Sequence, residues 1–96
     1  MNTFDPPLDK WIAHQVEVLV EHGIETYESC QGGVGHPLPD PMVRFYGDNA
    51  EGYRAVTIAL QNGLHPSMLR RFWSINNGEL VGPHWEMTFV SSQNEK

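Results

Sequence analysis

The chain is short of cysteine, and this scarcity excludes several classes of protein. Its single cysteine, Cys30, cannot form an internal disulfide, so the disulfide-stapled scaffolds of small secreted proteins are excluded. An apolar run of the roughly 20 residues that a membrane-spanning helix needs is missing, as is a basic and apolar N-terminal signal. We therefore expect a cytoplasmic protein that does not bind membranes.

Basic residues are scarce as well. The 96 residues include 6 Lys and Arg against 12 Asp and Glu, which gives a formal net charge of −6. Non-specific binding to nucleic acid needs a net positive surface and is not expected. We predict one domain over residues 1–96, with an ordered core over about 5–90 and a polar C-terminal tail. So short a chain has a thin core, and a homodimer would bury more surface.

Two helices are predicted from apolar periodicity and end signals. Asp5 followed by two prolines begins the first helix, and Gly23-Ile24 ends it. Its apolar face contains Leu8, Trp11, Ile12, Val16, Leu19 and Val20. Asp48 and Glu51 form a capping box that begins the second helix, which Gly63-Leu64 ends in the same way. We assign its apolar face to Tyr53, Val56, Thr57 and Leu60, with Ala55 and Ala59 nearby.

Four strands are predicted from alternation. They cover residues 24–30, 42–47, 68–75 and 84–90. Asn76-Asn77-Gly78 predicts a hairpin turn, residues 79–83 are interpreted as irregular, and residues 31–41, with three glycines and three prolines, as a loop. The predicted fold is an α+β two-layer sandwich of order αββαββ. Its sheet is mainly antiparallel and four-stranded, and both helices lie on one face and leave the other open.

Residues 28–36 are the segment richest in chemically active groups. Cys30 becomes a nucleophile if the glycine-rich loop brings His36 back over it, with Glu28 or Asp40 as the orienting group. Alternatively, Cys30 is a small buried hydrophobe at a strand end. A zinc site is a weaker hypothesis, because the cysteine and histidines are not arranged in the closely spaced pairs that zinc sites favour. Its ligands would be Cys30, His36 and His84, with His65 or Glu86 as the fourth. We predict no bound metal and no cofactor.

The same loop is a candidate anion site. Gly32, Gly33 and Gly35 can direct backbone N–H groups at one oxygen-rich ligand. Arg44, with Arg71 or Arg70 beside a tryptophan such as Trp73, would add a pocket for a base and a phosphate. Alternatively, the arginines are solvated or pair across the sheet with carboxylates, which are Glu28, Glu79 and Glu86. We expect Trp85 to be a core residue because alternating aromatic residues usually face inward.

A composite pattern runs through Gly23–Gly33, His36, Pro41–Phe45, Glu51-Gly52, Leu69–Trp73 and Gly82–Met87. It resembles a family of short, uncharacterised phage and bacterial proteins that share the motif Thr-x-Glu-Ser-Cys-x-Gly-Gly-x-Gly-His, here Thr26–His36. The resemblance covers most of the chain. It implies one coherent domain with a phage origin, and it brings no activity with it.

Three functions remain open from the sequence. The first is a small module that binds an anionic or nucleotide-like ligand near the glycine loop, with which a phage would sequester a host signalling nucleotide. The second is an inhibitor that binds a host protein through the open sheet face and an acidic helix. The third is a Cys/His enzyme that acts on a small substrate. We rank them in that order.

Overall fold

The computed structural model describes residues 12–30, 32 and 40–90. The elements are α1 (Ala13–Glu21), β1 (Thr26–Cys30), β2 (Met42–Phe45), α2 (Asn49–Gln61), β3 (Pro66–Asn76) and β4 (Glu79–Phe89). Their order confirms the predicted αββαββ arrangement. The first helix does not run unbroken from Asp5 as predicted, because α1 begins at Ala13 and Ile12 has the non-helical backbone of an N-cap, with φ of −123°. Asp5, Leu8, Trp11 and the polar tail lie outside the described residues.

The four strands form one antiparallel sheet in the order β1-β2-β4-β3. The two central strands, β2 and β4, send alternate side chains into the core, where they meet side chains from both helices. The largest of these sheet residues are Phe45, Trp85, Met87 and Phe89. Both helices therefore cover the same sheet face, as predicted, and no helix among the described residues lies on the opposite face.

Both helices end in the same motif, which the sequence predicted. Gly23 and Gly63 adopt left-handed backbone with φ of +88° and +75°. The N–H of the next residue, Ile24 or Leu64, then donates to the carbonyl five residues back, at 3.0 and 2.9 Å. Both aliphatic side chains are buried against the helix that they terminate. At the other end of α2, the Asp48 carboxylate accepts the N–H of Glu51, which confirms Asp48 as the cap. The Glu51 carboxylate binds Arg54 instead of closing the predicted capping box.

The apolar face predicted for α2 is wrong. Tyr53 and Leu60 are exposed, and the helix instead buries Gly52, Ala55, Ile58 and Ala59. The cause is Trp85, whose indole lies so close to the helix that a Cβ added at Gly52 would lie 2.5 Å from the ring. Small side chains at Gly52, Ala55 and Ala59 let α2 approach the sheet, and Ile58 adds apolar bulk on the same face, so fit against the sheet decides which face is buried.

The irregular segment predicted at residues 79–83 is also wrong in part, because β4 begins at Glu79 and pairs with β3 up to the turn. Asn77 and Gly78 both have positive φ, as a tight two-residue hairpin turn requires. An irregularity remains at Gly82-Pro83, where the peptide bond is cis and Gly82 has φ of +129°, opposite the register shift between Phe72 and Ser74. The prediction is therefore wrong for residues 79–81 only. Since β2 pairs with β4 only over Trp85–Thr88, residues 72–83 project beyond the other described strands. We call these residues the hairpin arm.

Candidate functional site

The sheet face opposite α1 and α2, here called the free face, displays three rows of side chains. Each row takes one residue from each strand or from its end. The aromatic row is Tyr27, Tyr46, His84 and Phe72. The charged row is Glu28, Arg44, Glu86 and Arg70. The third row is Cys30, Met42, Thr88 and Met68. Strand register builds these rows, because directly opposed residues of an antiparallel pair project to the same face.

The charged row alternates in sign across the whole sheet. Arg44 donates to Glu28 at 2.9 Å and to Glu86 at 3.4 Å, and the Nε of Arg70 donates to the other oxygen of Glu86. The Glu86 side chain is 5% exposed, whereas that of Glu28 is 50% exposed. Burial lowers the pKa of the Arg44 guanidinium, but the Glu28 hydrogen bond and the charges of both carboxylates outweigh it and raise the net pKa. Glu86 is thus the buried carboxylate that binds both arginines of the row.

The aromatic row lies directly beside the charged row. Tyr27 and Tyr46 stack with their ring centroids 4.4 Å apart, and each residue is 38% exposed. The ring of His84 meets both tyrosines edge-on, at 5.4 and 5.1 Å, and reaches Phe72 at 6.0 Å. Partial burial raises the pKa of Tyr27, so its phenol stays neutral into the alkaline range. The row is an apolar strip with polar tips that solvent can reach.

On the free face, Arg70 has terminal nitrogens that are available to a ligand. Its Nε is occupied by Glu86, but its two terminal nitrogens make no hydrogen bond or ion pair with any residue in the described ranges. The side chain is half-exposed, and its guanidinium carbon lies 5.5 Å from the ring centroid of Phe72. Arg44 lies over the same ring at 5.0 Å but is held by two carboxylates. An acidic group that approaches the aromatic row can therefore accept hydrogen bonds from the terminal nitrogens of Arg70.

The structure brings Arg44 and Arg70 to one face of the sheet and separates Arg71 from them. Arg44 lies on the free face, whereas Arg71 is opposite Trp85 in the ladder and faces the helices. The Arg71 guanidinium lies 4.8 Å from the centroid of the Trp85 ring and donates to Asn49. Arg71 therefore links β3 to the first residue of α2 by a hydrogen bond. Trp85 is buried, as predicted, whereas Trp73 is exposed in the hairpin arm.

Cys30 ends β1 and is buried opposite Met42 in the third row. Gly32 has φ of +73°, and an added Cβ would lie 2.4 Å from the backbone of Asp40, so only glycine fits there. Gly33, Gly35 and His36 lie outside the described residues, so the predicted dyad with Cys30 and the predicted anion cradle stay predictions. The described residues contain no group of three or more His, Cys, Asp or Glu placed to hold a metal ion.

Sequence reasoning did not find the aromatic row. Alternation placed His84 and Glu86 on one face of β4 and Arg44 and Tyr46 on one face of β2, which the structure confirms. No local signal, however, pairs β2 with β4 or aligns one row with the next. The predicted hairpin turn was the only register signal, and it concerns β3 and β4 alone.

No family model, curated protein or solved structure matches the chain. The resemblance to short phage and bacterial proteins accordingly stays a prediction. Among the described residues, no helix is long and apolar enough to cross a membrane.

Proposed function

We propose that the chain is a small binding module, and that its free face takes a flat, anionic, nucleotide-like ligand. The observation that supports this is the partly exposed aromatic row directly beside Arg70, whose terminal nitrogens are unengaged. Aromatic rings stack on planar heterocycles, and a guanidinium binds a phosphate or carboxylate through two parallel hydrogen bonds. The proposal moves the ligand from the glycine loop to the middle of the sheet.

The charge pattern favours a small ligand over a polynucleotide. The free face has two arginines, and both are already partly neutralised by Glu28 and Glu86. A polynucleotide would have to pass over a chain of net charge −6, which repels its phosphates. One anionic group placed at Arg70 avoids most of that repulsion because it needs only one guanidinium.

The test is a titration followed by heteronuclear NMR and calorimetry, with adenosine monophosphate, adenosine and inorganic phosphate as probes. We expect the monophosphate to bind more tightly than either fragment and to shift the signals of Tyr46 and His84. Arg70→Ala should weaken binding about 10- to 100-fold, the equivalent of one charge-assisted hydrogen bond. Tyr46→Leu should weaken the binding of adenosine and of the monophosphate alike, since it removes a stacking surface.

The matched control is Arg71→Ala, because Arg71 is the neighbouring residue and faces the opposite side of the sheet. It should leave the affinity unchanged at a temperature where the variant is folded. If Arg71→Ala abolished binding and Arg70→Ala did not, the ligand would lie on the helix side and the proposal would be wrong. Absence of binding for all three probes would also refute it.

A further inference from the structure

The hairpin arm exposes three large apolar side chains. They are Trp73, Ile75 and Leu80. Ile75 and Leu80 are directly opposed in the ladder and therefore share a face, and Trp73 lies two positions before Ile75 on the same strand. An apolar cluster of this kind on a small domain marks an interaction site rather than ordinary surface.

The same segment is an open sheet edge. β3 is the outermost strand, so its outer edge has no partner strand among the described residues. Edge strands are normally protected by charges, prolines or a covering element. Residues 72–76 contain neither a charged residue nor a proline. The arm thus presents both unpaired backbone groups and apolar side chains.

We infer that two copies of this chain pair through their β3 edges, antiparallel, about a twofold axis at Ser74. In this register Trp73 of each copy lies opposite Ile75 of the other. Leu80 of each copy extends the same apolar cluster from the adjoining strand, so six large side chains become buried together. A twofold interface is self-complementary, and an antiparallel strand pair satisfies the backbone groups of both edges at once.

Charge favours a second copy as the partner of the arm and disfavours a twofold axis at the middle of β3. The arm contains one charged residue, Glu79, in a chain of net charge −6. It is therefore a place where two acidic copies can meet with little repulsion, and it offers nothing to select a charged partner. A twofold axis at Arg71, the middle of β3, would put that arginine opposite its own copy, which destabilises a strand pair. An axis at Ser74 avoids this.

Sedimentation velocity of the whole chain over a wide concentration range tests the inference. An interface this small predicts a dimer with a Kd of about 10–100 µM. Leu80→Lys should raise the Kd at least about tenfold, since a charge enters the apolar cluster. The control is Leu60→Lys on α2: Leu60 is 62% exposed and Leu80 is 68% exposed, so the two changes differ chiefly in location. Leu60→Lys should leave the dimer intact.

A second pair of variants tests the register. Ser74→Cys, on the axis, should form a disulfide-linked dimer quickly in oxidised glutathione, whereas Ser67→Cys, seven positions away on the same strand, should not. The inference is overturned if the wild type stays monomeric at about 1 mM, if Leu80→Lys dimerises like the wild type, or if both cysteine variants cross-link at the same rate. Far-UV circular dichroism of each variant confirms that it is folded.

Discussion

Replacing Glu86 with glutamine should destabilise the protein far more than the same change at Glu28. Both carboxylates bind Arg44, so the comparison shares one partner and the same chemical change. Two things differ: the Glu86 side chain is buried and binds two arginines, whereas that of Glu28 is half-exposed and binds one. The pair therefore measures the combined effect of burial and of the second arginine.

The magnitude follows from the contacts that are lost. Hydrogen bonds to charged groups contribute about 1.5–3 kcal/mol each, but the Arg44 contact of Glu86 is long, at 3.4 Å. A glutamine amide would also turn its NH₂ group toward one of the two guanidiniums, donor against donor. Removal of a buried charge lowers the desolvation penalty and offsets part of the loss. We expect Glu86→Gln to lower the free energy of unfolding by about 2 kcal/mol, and Glu28→Gln by less than about 1 kcal/mol.

Urea unfolding at neutral pH, followed by far-UV circular dichroism, measures both variants. For a domain of this size, the expected losses correspond to a melting temperature lowered by about 8–16 °C for Glu86→Gln and by under about 8 °C for Glu28→Gln. Added salt should reduce the Glu28 effect, since exposed pairs are screened, and should change the Glu86 effect little. Equal losses in the two variants, or equal sensitivity to salt, would refute this account of the charged row.

Two further predictions concern packing and ionisation. Gly52→Ala should lower the free energy of unfolding by about 1–2 kcal/mol, because the clash with the indole outweighs the better helix propensity of alanine. In a Trp85→Leu background, where the indole is absent, the same substitution should raise the free energy of unfolding by about 0.5–1 kcal/mol. Urea unfolding of the four proteins checks this, and a gain in the wild-type background would contradict it. Since the pKa of Tyr27 is raised, its contribution to stability should be complete below pH 10.0 and lost as the pH rises through the higher folded-state value. An ultraviolet difference titration of the wild type against Tyr27→Phe measures that phenol, and titration at or below 10.0 would show the reasoning to be wrong.

The parts of the fold that the sequence predicted are local ones. Gly23 and Gly63 end the helices through a hydrogen-bonding motif that spans six residues, and Asp48 caps α2 from three residues away. The turn at Asn77 depends on two backbone conformations that few residues adopt. The failed prediction of the apolar face of α2 concerns a contact between distant segments. The buried face of α2 depends on Trp85, which lies far along the chain and is brought against Gly52 by the sheet.

The sequence by itself determined which side chains share a face of each strand, where each helix ends and that the domain has two layers. These features depend on the spacing of apolar residues along the chain and on backbone angles within a few residues. Only the tertiary structure decided that β2 lies beside β4, which sets Arg44 against Glu86, 42 positions away. That pairing depends on which strands bury the most apolar surface together, and no local pattern specifies it. The aromatic row, and the position of the Arg70 terminal nitrogens beside it, exist only because this strand order aligns residues from all four strands.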